Sequence, residues 1–203
     1  GAASLFRPGA DMMLAEAARE ANIPFIMSGA ATASIENLAK VAPEHGWYQL
    51  YTARDKSISE DQIRRAADAG LSTLVLTVDV PVRPRRERNI RNGFTRPLKM
   101  TLATKLEALQ HPGWMFDYLK HGKPVLANWV DYAPDGADAD GGAAFVTSQT
   151  AASLTWADVA RFRELWPRKF VLKGVMHPDD AFRAAELGVD GLMVSNHGAR
   201  QLD

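Results

Sequence analysis

Short runs of consecutive apolar residues recur along the chain, and a helical pattern precedes each run. The runs cover residues 24–27, 47–51, 74–76, 170–173 and 191–194. Apolar residues at consecutive rather than alternate positions are typical of parallel strands that helices cover on both faces. The pattern therefore predicts five helix–strand units of an α/β fold.

Several helical patterns end on residues that favour the left-handed backbone conformation. Asn22, Gly70 and Gly188 each follow such a pattern and precede an apolar run. Glycine and asparagine adopt positive φ at low cost, so these residues predict helix ends. The patterns they close cover residues 12–21, 60–69 and 181–187, and two less regular helices are predicted over residues 35–42 and 156–166.

Polar side chains at the carboxyl ends of the strands favour one α/β architecture. In a β/α barrel those ends converge on one mouth, where barrel enzymes place their active sites. We therefore expect an incomplete TIM (β/α)8 barrel with helices outside, rather than a doubly wound sheet, and a long inserted loop at residues 80–153. The side chains at the strand ends are Ser28, Gln49, Tyr51, Thr77, Asp79, Lys173, Asn196 and His197.

Composition narrows the classes of function. Lysine and arginine number 24, as do aspartate and glutamate, so the net charge does not indicate a nucleic-acid partner. The absence of cysteine excludes disulfides, thiolate metal sites and a cysteine nucleophile. No apolar run approaches the roughly 20 residues of a membrane-spanning helix, so a cytoplasmic location is the default. Because the chain begins at Gly1 and ends directly after a polar motif, we expect residues 1–203 to be an internal fragment of one domain.

His197 is the first candidate for a general base. It follows an apolar strand and is flanked by Asn196 and Gly198, so its imidazole is presented at the strand end. The alternative is a structural histidine. Asp79 ends another strand and could accept the second ring N–H of His197, which would fix its tautomer and stabilise the imidazolium. Alternatively, Asp79 caps the following loop.

Cationic side chains near the same strand ends could bind an anion. Arg200 could hold a carboxylate through two parallel hydrogen bonds, or it could be a surface arginine. Lys173 could form a Schiff base, stabilise a ligand that gains negative charge, or form a structural ion pair. A basic cluster after Asp79 could supply a second carboxylate contact or be a solvated loop. It comprises Arg83, Arg85, Arg86, Arg88 and Arg91.

The final segment, SNHGARQLD from Ser195 to Asp203, resembles the signature of the FMN-dependent 2-hydroxy-acid oxidase and dehydrogenase family. The likeness covers almost the whole chain. It implies an FMN-binding β/α-barrel domain that oxidises an (S)-2-hydroxy acid to a 2-oxo acid. Further matches, in the family's order and approximate spacing, are Gln49-Leu50-Tyr51, Leu76-Thr77-Val78-Asp79, Arg86-Glu87 and Leu172-Lys173-Gly174.

This resemblance implies a role for each candidate. His197 would remove a proton from the substrate, with Asp79 as its partner, while two electrons pass to FMN as a hydride or after carbanion formation. Tyr51 would hydrogen-bond the substrate hydroxyl or the developing carbonyl, and Arg200 and Arg86 would bind the carboxylate. Lys173 would stabilise the anionic reduced flavin, a role that replaces the Schiff base. Ser28, Gln49 and Thr77 would hydrogen-bond the flavin ring.

The chain departs from the family pattern in the arginine loop. Pro84 replaces a usual glycine, Asn89 an aspartate and Gly93 a frequent arginine, which leaves the choice between Arg85 and Arg86 open. Family members also have an earlier active-site tyrosine and barrel strand, and later strands that bind the FMN phosphate. We therefore expect the chain alone to be incomplete and inactive.

Two features bear on substrate and location. Ala30 stands where short-chain glycolate oxidases have a bulky tryptophan, so we expect a roomier pocket that favours a mandelate-like substrate, with lactate as the alternative. Residues 111–124 resemble the bacterial membrane-associated mandelate and lactate dehydrogenase branch, closest to mandelate dehydrogenase. In that branch the segment attaches the enzyme to the inner face of the cytoplasmic membrane. Its side chains could lie in the lipid interface, or form a lid on their own barrel.

In that branch electrons would leave FMN for a membrane quinone. The alternative is an oxidase that uses oxygen. We expect the full-length enzyme to be a homo-oligomer.

Two other classes of protein compete with this interpretation. One is a β/α-barrel aldolase that uses Lys173 as a Schiff-base amine, and the other is a non-catalytic flavin-binding barrel. The joint presence of a base, its partner and two anion-binding cations argues against the second class, because a binding protein needs no base.

Overall fold

A parallel sheet of five strands lies at the centre of the fold. The computed structural model describes residues 3–81, 86–93, 101–122, 124–136, 139–149 and 153–201. The spatial order of the strands equals their order in the sequence, and every neighbouring pair is parallel. This order is that of a barrel wall, whereas a doubly wound sheet reverses direction part-way. The strands are β1 (Phe25–Ser28), β2 (Gly46–Tyr51), β3 (Thr73–Thr77), β4 (Lys169–Lys173) and β5 (Gly191–Met193).

One helix precedes each strand, as the sequence pattern predicts. The left-handed residues between helix and strand are also confirmed, with φ values of 55° at Asn22, 84° at Gly70 and 70° at Gly188. Three helices begin earlier than expected, and in two of them, α3 and α9, the side chains of Asp55 and His177 accept backbone N–H bonds as N-caps. These five helices are α1 (Ala10–Glu20), α2 (Ile35–Val41), α3 (Lys56–Asp68), α8 (Trp156–Leu165) and α9 (Pro178–Glu186).

The insertion between β3 and α8 is largely helical where the structure describes it, and the described part contains no strand. It was expected to be a loop, and the difference has local causes. Pro112 stands at the first position of one helix and Gly122 ends it with φ 76°. The α-helices of the insertion are α4 (Glu87–Arg91), α5 (Leu102–Leu109), α6 (Pro112–His121) and α7 (Ala139–Gln149), and Val130–Tyr132 forms a 3-10 turn.

Alternation along the strands separates the core from the site. Leu74 and Leu76 of β3 are fully buried and belong to the cluster that packs against the helices. Thr73, Val75 and Thr77 alternate with them and therefore point to the other face of the sheet. The same alternation buries Tyr48, Leu50, Phe170 and Leu172 against the helices. It leaves Gln49, Tyr51 and Lys173 on the face that becomes the barrel interior.

A buried polar chain ties the insertion to this core. The Tyr48 hydroxyl donates to Gln62 Oε1 over 2.9 Å, and Gln62 Nε2 donates to the backbone oxygen of Asn128 over 2.9 Å. All three residues are fully buried. Burial raises the pKa of the Tyr48 hydroxyl far above its ordinary value, so this group is a donor at any physiological pH.

Replacing Gln62 by leucine should destabilise the protein, since two buried polar groups lose their partner. The expected loss in free energy of unfolding is about 2–4 kcal/mol, measured by urea denaturation. Adding Tyr48→Phe should recover about 1 kcal/mol, because the orphaned hydroxyl is then gone. The exposed Gln110→Leu serves as control and should lie within about 0.5 kcal/mol of wild type. A loss in Gln62→Leu no larger than in this control would contradict the role of the buried chain.

Candidate active site

His197 and Asp79 meet at the carboxyl ends of β5 and β3. His197 Nδ1 lies 2.8 Å from Asp79 Oδ1. The Asp79 side chain is 8% exposed and that of His197 is 17% exposed. A carboxylate can only accept, so this contact assigns the ring proton to Nδ1 and leaves the Nε2 lone pair as the basic atom. The structure thus brings together the two residues that the sequence paired.

Lys173 joins this pair from the end of β4. Its ammonium donates to Asp79 Oδ2 over 3.1 Å and lies 3.3 Å from His197 Nδ1. With a proton on Nδ1 the second contact is a close approach of two donors, so Asp79 holds the group together by accepting one bond on each oxygen. We call Asp79, Lys173 and His197 the carboxylate trio. The structure thus shows the ion pair that was one of the three alternatives for Lys173, while its roles as a Schiff-base amine or as a cation beside a ligand stay predictions.

The backbone around the trio requires special conformations. Gly174 has φ 107°, and a Cβ at this position would lie 2.4 Å from Asp79 Cβ. The residue after Lys173 must therefore be glycine for Asp79 to fit. His197 itself has φ 62°, and its N–H donates to Ser195 Oγ over 2.9 Å. A positive φ is uncommon in a residue with a side chain, and strained backbone of this kind is found at functional sites.

Tyr51 lines the same mouth from the end of β2. Its ring centroid lies 6.4 Å from that of His197. Burial raises the pKa of the Tyr51 hydroxyl, as does the Asp79 carboxylate, while Ser28 and the Arg86 guanidinium act in the opposite direction. The net effect is a raised pKa, so the hydroxyl is protonated at neutral pH. Ser28 and Arg86 are thus near enough to influence the ionisation of Tyr51.

Gln49 and Thr77 form a buried polar pair in the interior face of the sheet. Gln49 Nε2 donates to Thr77 Oγ1 over 2.8 Å, and both residues are about 5% exposed. The bond uses one amide hydrogen and one hydroxyl lone pair. The Gln49 carbonyl oxygen and the Thr77 hydroxyl hydrogen have no partner elsewhere in the described ranges, so they remain available to a ligand.

The remaining predicted residues are less closely connected. Arg200 is exposed in the turn after His197 and forms no hydrogen bond or ion pair within the described part of the chain. Ala30 lies in the loop after β1, where its N–H donates to Ser28 Oγ over 3.2 Å. Arg83, Pro84 and Arg85 lie outside the described residues, so the choice between Arg85 and Arg86 stays a prediction.

Sequence reasoning missed the residues that hold the site in place. Gly174 was quoted only as part of a motif, although its φ sets the position of Asp79. Asn128 and Trp129 in the insertion were not noticed at all. Both are buried, and they bond to the loop after β1 across about one hundred positions of sequence. No local pattern marks such distant partners, although an Asn-Trp pair inside a polar segment is a weak sign of an anchor.

A model of the FMN-dependent dehydrogenase family matches residues 1–203. The chain belongs to this family. It is 39% identical over 196 residues to (S)-mandelate dehydrogenase of Pseudomonas putida. These aligned residues make up 97% of the chain and 49% of that protein. It is 42% identical over 190 residues to a putative L-lactate dehydrogenase of Mycobacterium tuberculosis, covering 93% and 44%. The family predicted from the sequence is therefore confirmed, and FMN is the cofactor of that family.

The fold comparison agrees. A crystal structure of the monotopic membrane protein (S)-mandelate dehydrogenase superposes with a TM-score of 0.90 at 39% identity, over 98% of this chain and 52% of that one. The open five-stranded sheet thus corresponds to part of a TIM barrel, as predicted. The chain spans about half the length of the curated relatives it matches. Within the described residues, no helix is long and apolar enough to cross a membrane.

Gly174→Ala should displace Asp79 and break its bond to His197, because the new Cβ overlaps the Asp79 side chain. The low-field proton resonance of the His197 Nδ1–H should disappear from the NMR spectrum. Gly188→Ala is the matched control, since it also imposes a positive φ but meets no atom within 4 Å. Both variants should lose about 1 kcal/mol of stability to backbone strain. A resonance that persists in Gly174→Ala would show that Asp79 tolerates the added methyl group.

Proposed function

We propose that the protein containing this chain oxidises an (S)-2-hydroxy acid to the 2-oxo acid, with His197 as the base. The observation that carries the proposal is the bond from His197 Nδ1 to the buried Asp79 carboxylate. It orients the ring, fixes the tautomer and leaves Nε2 to receive the substrate proton. Once protonated, the imidazolium is stabilised by the same carboxylate.

The cations at the mouth suit a substrate that carries a carboxylate. The positive charge of Arg86 is near enough to the Tyr51 hydroxyl to act against its raised pKa, so we assign Arg86 to the substrate carboxylate. Tyr51 is a neutral donor at physiological pH, as its raised pKa implies, and we assign it to the substrate hydroxyl oxygen. Arg200, exposed after His197, is assigned as the second carboxylate ligand, because a guanidinium binds a carboxylate through paired hydrogen bonds.

The residues at the strand ends fit FMN. The polar edge of a flavin ring offers both donors and acceptors, and the open Gln49 carbonyl and Thr77 hydroxyl supply the complementary groups. Ser28 lies beside them at the end of β1, and Lys173 provides a fixed cation. When bound, FMN supplies the electron acceptor of the reaction. Asp79 limits the freedom of the Lys173 ammonium, so the cation stays at the mouth during the reaction.

A mandelate-like acid is the substrate we favour, with lactate as the alternative. Ala30 bonds through its N–H to Ser28 Oγ at the end of β1, and its methyl group takes up less space than the tryptophan found at this position in short-chain glycolate oxidases. The relatives divide in the same way, since one is named for mandelate and another for L-lactate.

His197→Gln should slow turnover strongly without loss of cofactor. In the full-length protein, reduction of the flavin by (S)-mandelate or (S)-lactate should slow by about 10²–10⁴-fold, as expected when a general base is removed. Stopped-flow bleaching of the yellow chromophore measures the rate. His45→Gln is the control, because the His45 ring is half-buried and bonds to Asn22 at the opposite end of the strands, away from the site. A His197→Gln rate equal to that of the control would exclude His197 as the base.

The insertion has the surface expected of a membrane-binding segment. On α5, Leu102, Leu106 and Leu109 share one helix face and are more than half exposed, as are Phe116 and Leu119 on α6. Lys105, Lys120 and His121 are exposed on the same two helices. Such a combination suits the interface of an anionic lipid leaflet. We therefore propose peripheral attachment to the cytoplasmic membrane, which would place the FMN near a quinone acceptor.

Helix α6 is only partly turned outward, which refines the sequence-based interpretation. Trp114 stacks on Tyr118 at 5.2 Å, and its ring N–H donates to the Leu5 backbone oxygen over 3.3 Å. These two rings therefore pack against the protein itself. Phe116 and Leu119 are 67% and 74% exposed and remain the side chains that can enter a lipid layer.

Replacing Phe116 and Leu119 together by serine should release the full-length protein from membranes. Removing the two largest exposed side chains of α6 takes away apolar area worth about 1.5–3 kcal/mol for each side chain. The measurement is the fraction that sediments with anionic vesicles. Phe116→Leu with Leu119→Ile keeps the apolar surface and should sediment like wild type. Equal sedimentation of the serine variant would contradict attachment through α6.

A further inference from the structure

The loop after β1, residues 29–34, carries the proposed substrate-pocket residue Ala30 and follows the proposed flavin ligand Ser28. It has no regular hydrogen bonding of its own, so something else must fix its path. Its first residue is held on one side by β2, since the Gly29 N–H donates to the Gln49 backbone oxygen over 2.6 Å. The Gly29 carbonyl points the other way, toward the insertion.

Trp129 contacts the Gly29 carbonyl on the side of the insertion. Its indole N–H donates to the Gly29 carbonyl over 2.9 Å, and the residue is only 4% exposed. The ring packs with Ala53, Ile58 and Val146, so its orientation is set by the loop after β2, by α3 and by α7. A buried indole in a fixed orientation makes a donor that cannot follow the loop if the loop moves.

Asn128 holds the far end of the same loop. Its Nδ2 donates to the Ala33 backbone oxygen over 3.2 Å, and its Oδ1 accepts the N–H of Ile35, the first residue of α2, over 2.9 Å. Asn128 is fully buried, and its own backbone oxygen is held by Gln62. Two consecutive residues of the insertion thus hydrogen-bond to the loop at its beginning and at its end.

We propose that Trp129 and Asn128 are positioning residues that set substrate selectivity by fixing the loop that carries Ala30. The inference rests on the proposed function. The wall of the substrate pocket at Ala30 is backbone and a methyl group, so its position depends on the loop path and not on a side-chain rotamer. A fixed loop path keeps the pocket wide enough for an aryl acid. If the path is loosened, the protein loses its preference for an aryl acid over a small acid.

The test compares Trp129→Phe with Trp166→Phe in the full-length flavin-loaded protein. Trp166 is also buried, and its ring N–H also donates to a backbone carbonyl, that of Lys169 at 2.7 Å, but at the opposite end of the strands. Both variants lose one indole–carbonyl bond and should unfold at similarly lower denaturant concentrations. Only Trp129→Phe should change the ratio of kcat/KM for (S)-mandelate over (S)-lactate, by about tenfold. An unchanged ratio with reduced stability would overturn the proposal.

The outcomes separate the inference from the proposed function. If wild type bleaches with neither acid, the proposed function fails and the inference fails with it. If wild type turns over and Trp129→Phe does not fold, the ratio is read in Thr32→Val. This change loosens the middle of the loop, because it removes the bond of the Thr32 hydroxyl to the buried Asp11 carboxylate (2.7 Å) and leaves the longer bond of the Thr32 N–H to the same oxygen (3.1 Å). A shifted ratio there supports control by the loop path, and a wild-type ratio contradicts it.

Discussion

The Asp79 carboxylate is the group on which the arrangement of the site depends. It accepts one bond from His197 and one from Lys173, so a single side chain joins the ends of three neighbouring strands. Its side chain is 8% exposed, and removing a buried carboxylate from water is costly unless every oxygen is bonded. Lys173 and His197 supply these bonds, one to each carboxylate oxygen, and the same bonds fix the positions of the two side chains.

The sheet supplies this convergence through its order. Because β3, β4 and β5 are adjacent and parallel, their carboxyl ends lie side by side, and each adds one member of the carboxylate trio. The alternation of side chains then decides which residues reach the interior. Leucines of β3 pack on the helices, while Thr77 at the strand end faces the mouth beside Gln49 of β2. Architecture and chemistry therefore follow from the same two-residue period.

Much of this could be predicted from the sequence, because the determining signals are local. Apolar runs located the five strands to within about two residues, and Asn22, Gly70 and Gly188 located the helix ends. The contact between His197 and Asp79 could be predicted because both follow strands of one parallel sheet. The hydrogen bonds from Asn128 and Trp129 to the segment after β1 could not be predicted, since they join residues about one hundred positions apart. Helices α4, α5 and α7 of the insertion were not predicted; α4 buries no residue, and on α5 the face formed by Leu102, Leu106 and Leu109 is exposed.

The charges of the carboxylate trio explain why His197 and Lys173 share the carboxylate of Asp79. With a neutral imidazole, the Lys173 ammonium and the Asp79 carboxylate cancel, so a substrate carboxylate is attracted mainly by the arginines. In the proposed reaction His197 accepts a proton, and the trio would then gain one positive charge at the point where the substrate becomes electron-rich. Since Asp79 is buried and already bonded on both oxygens, it stabilises that charge without reorganising. The ion pair with Lys173 is therefore part of the electrostatics of the proposed reaction, because it holds the carboxylate in the orientation in which it bonds to His197.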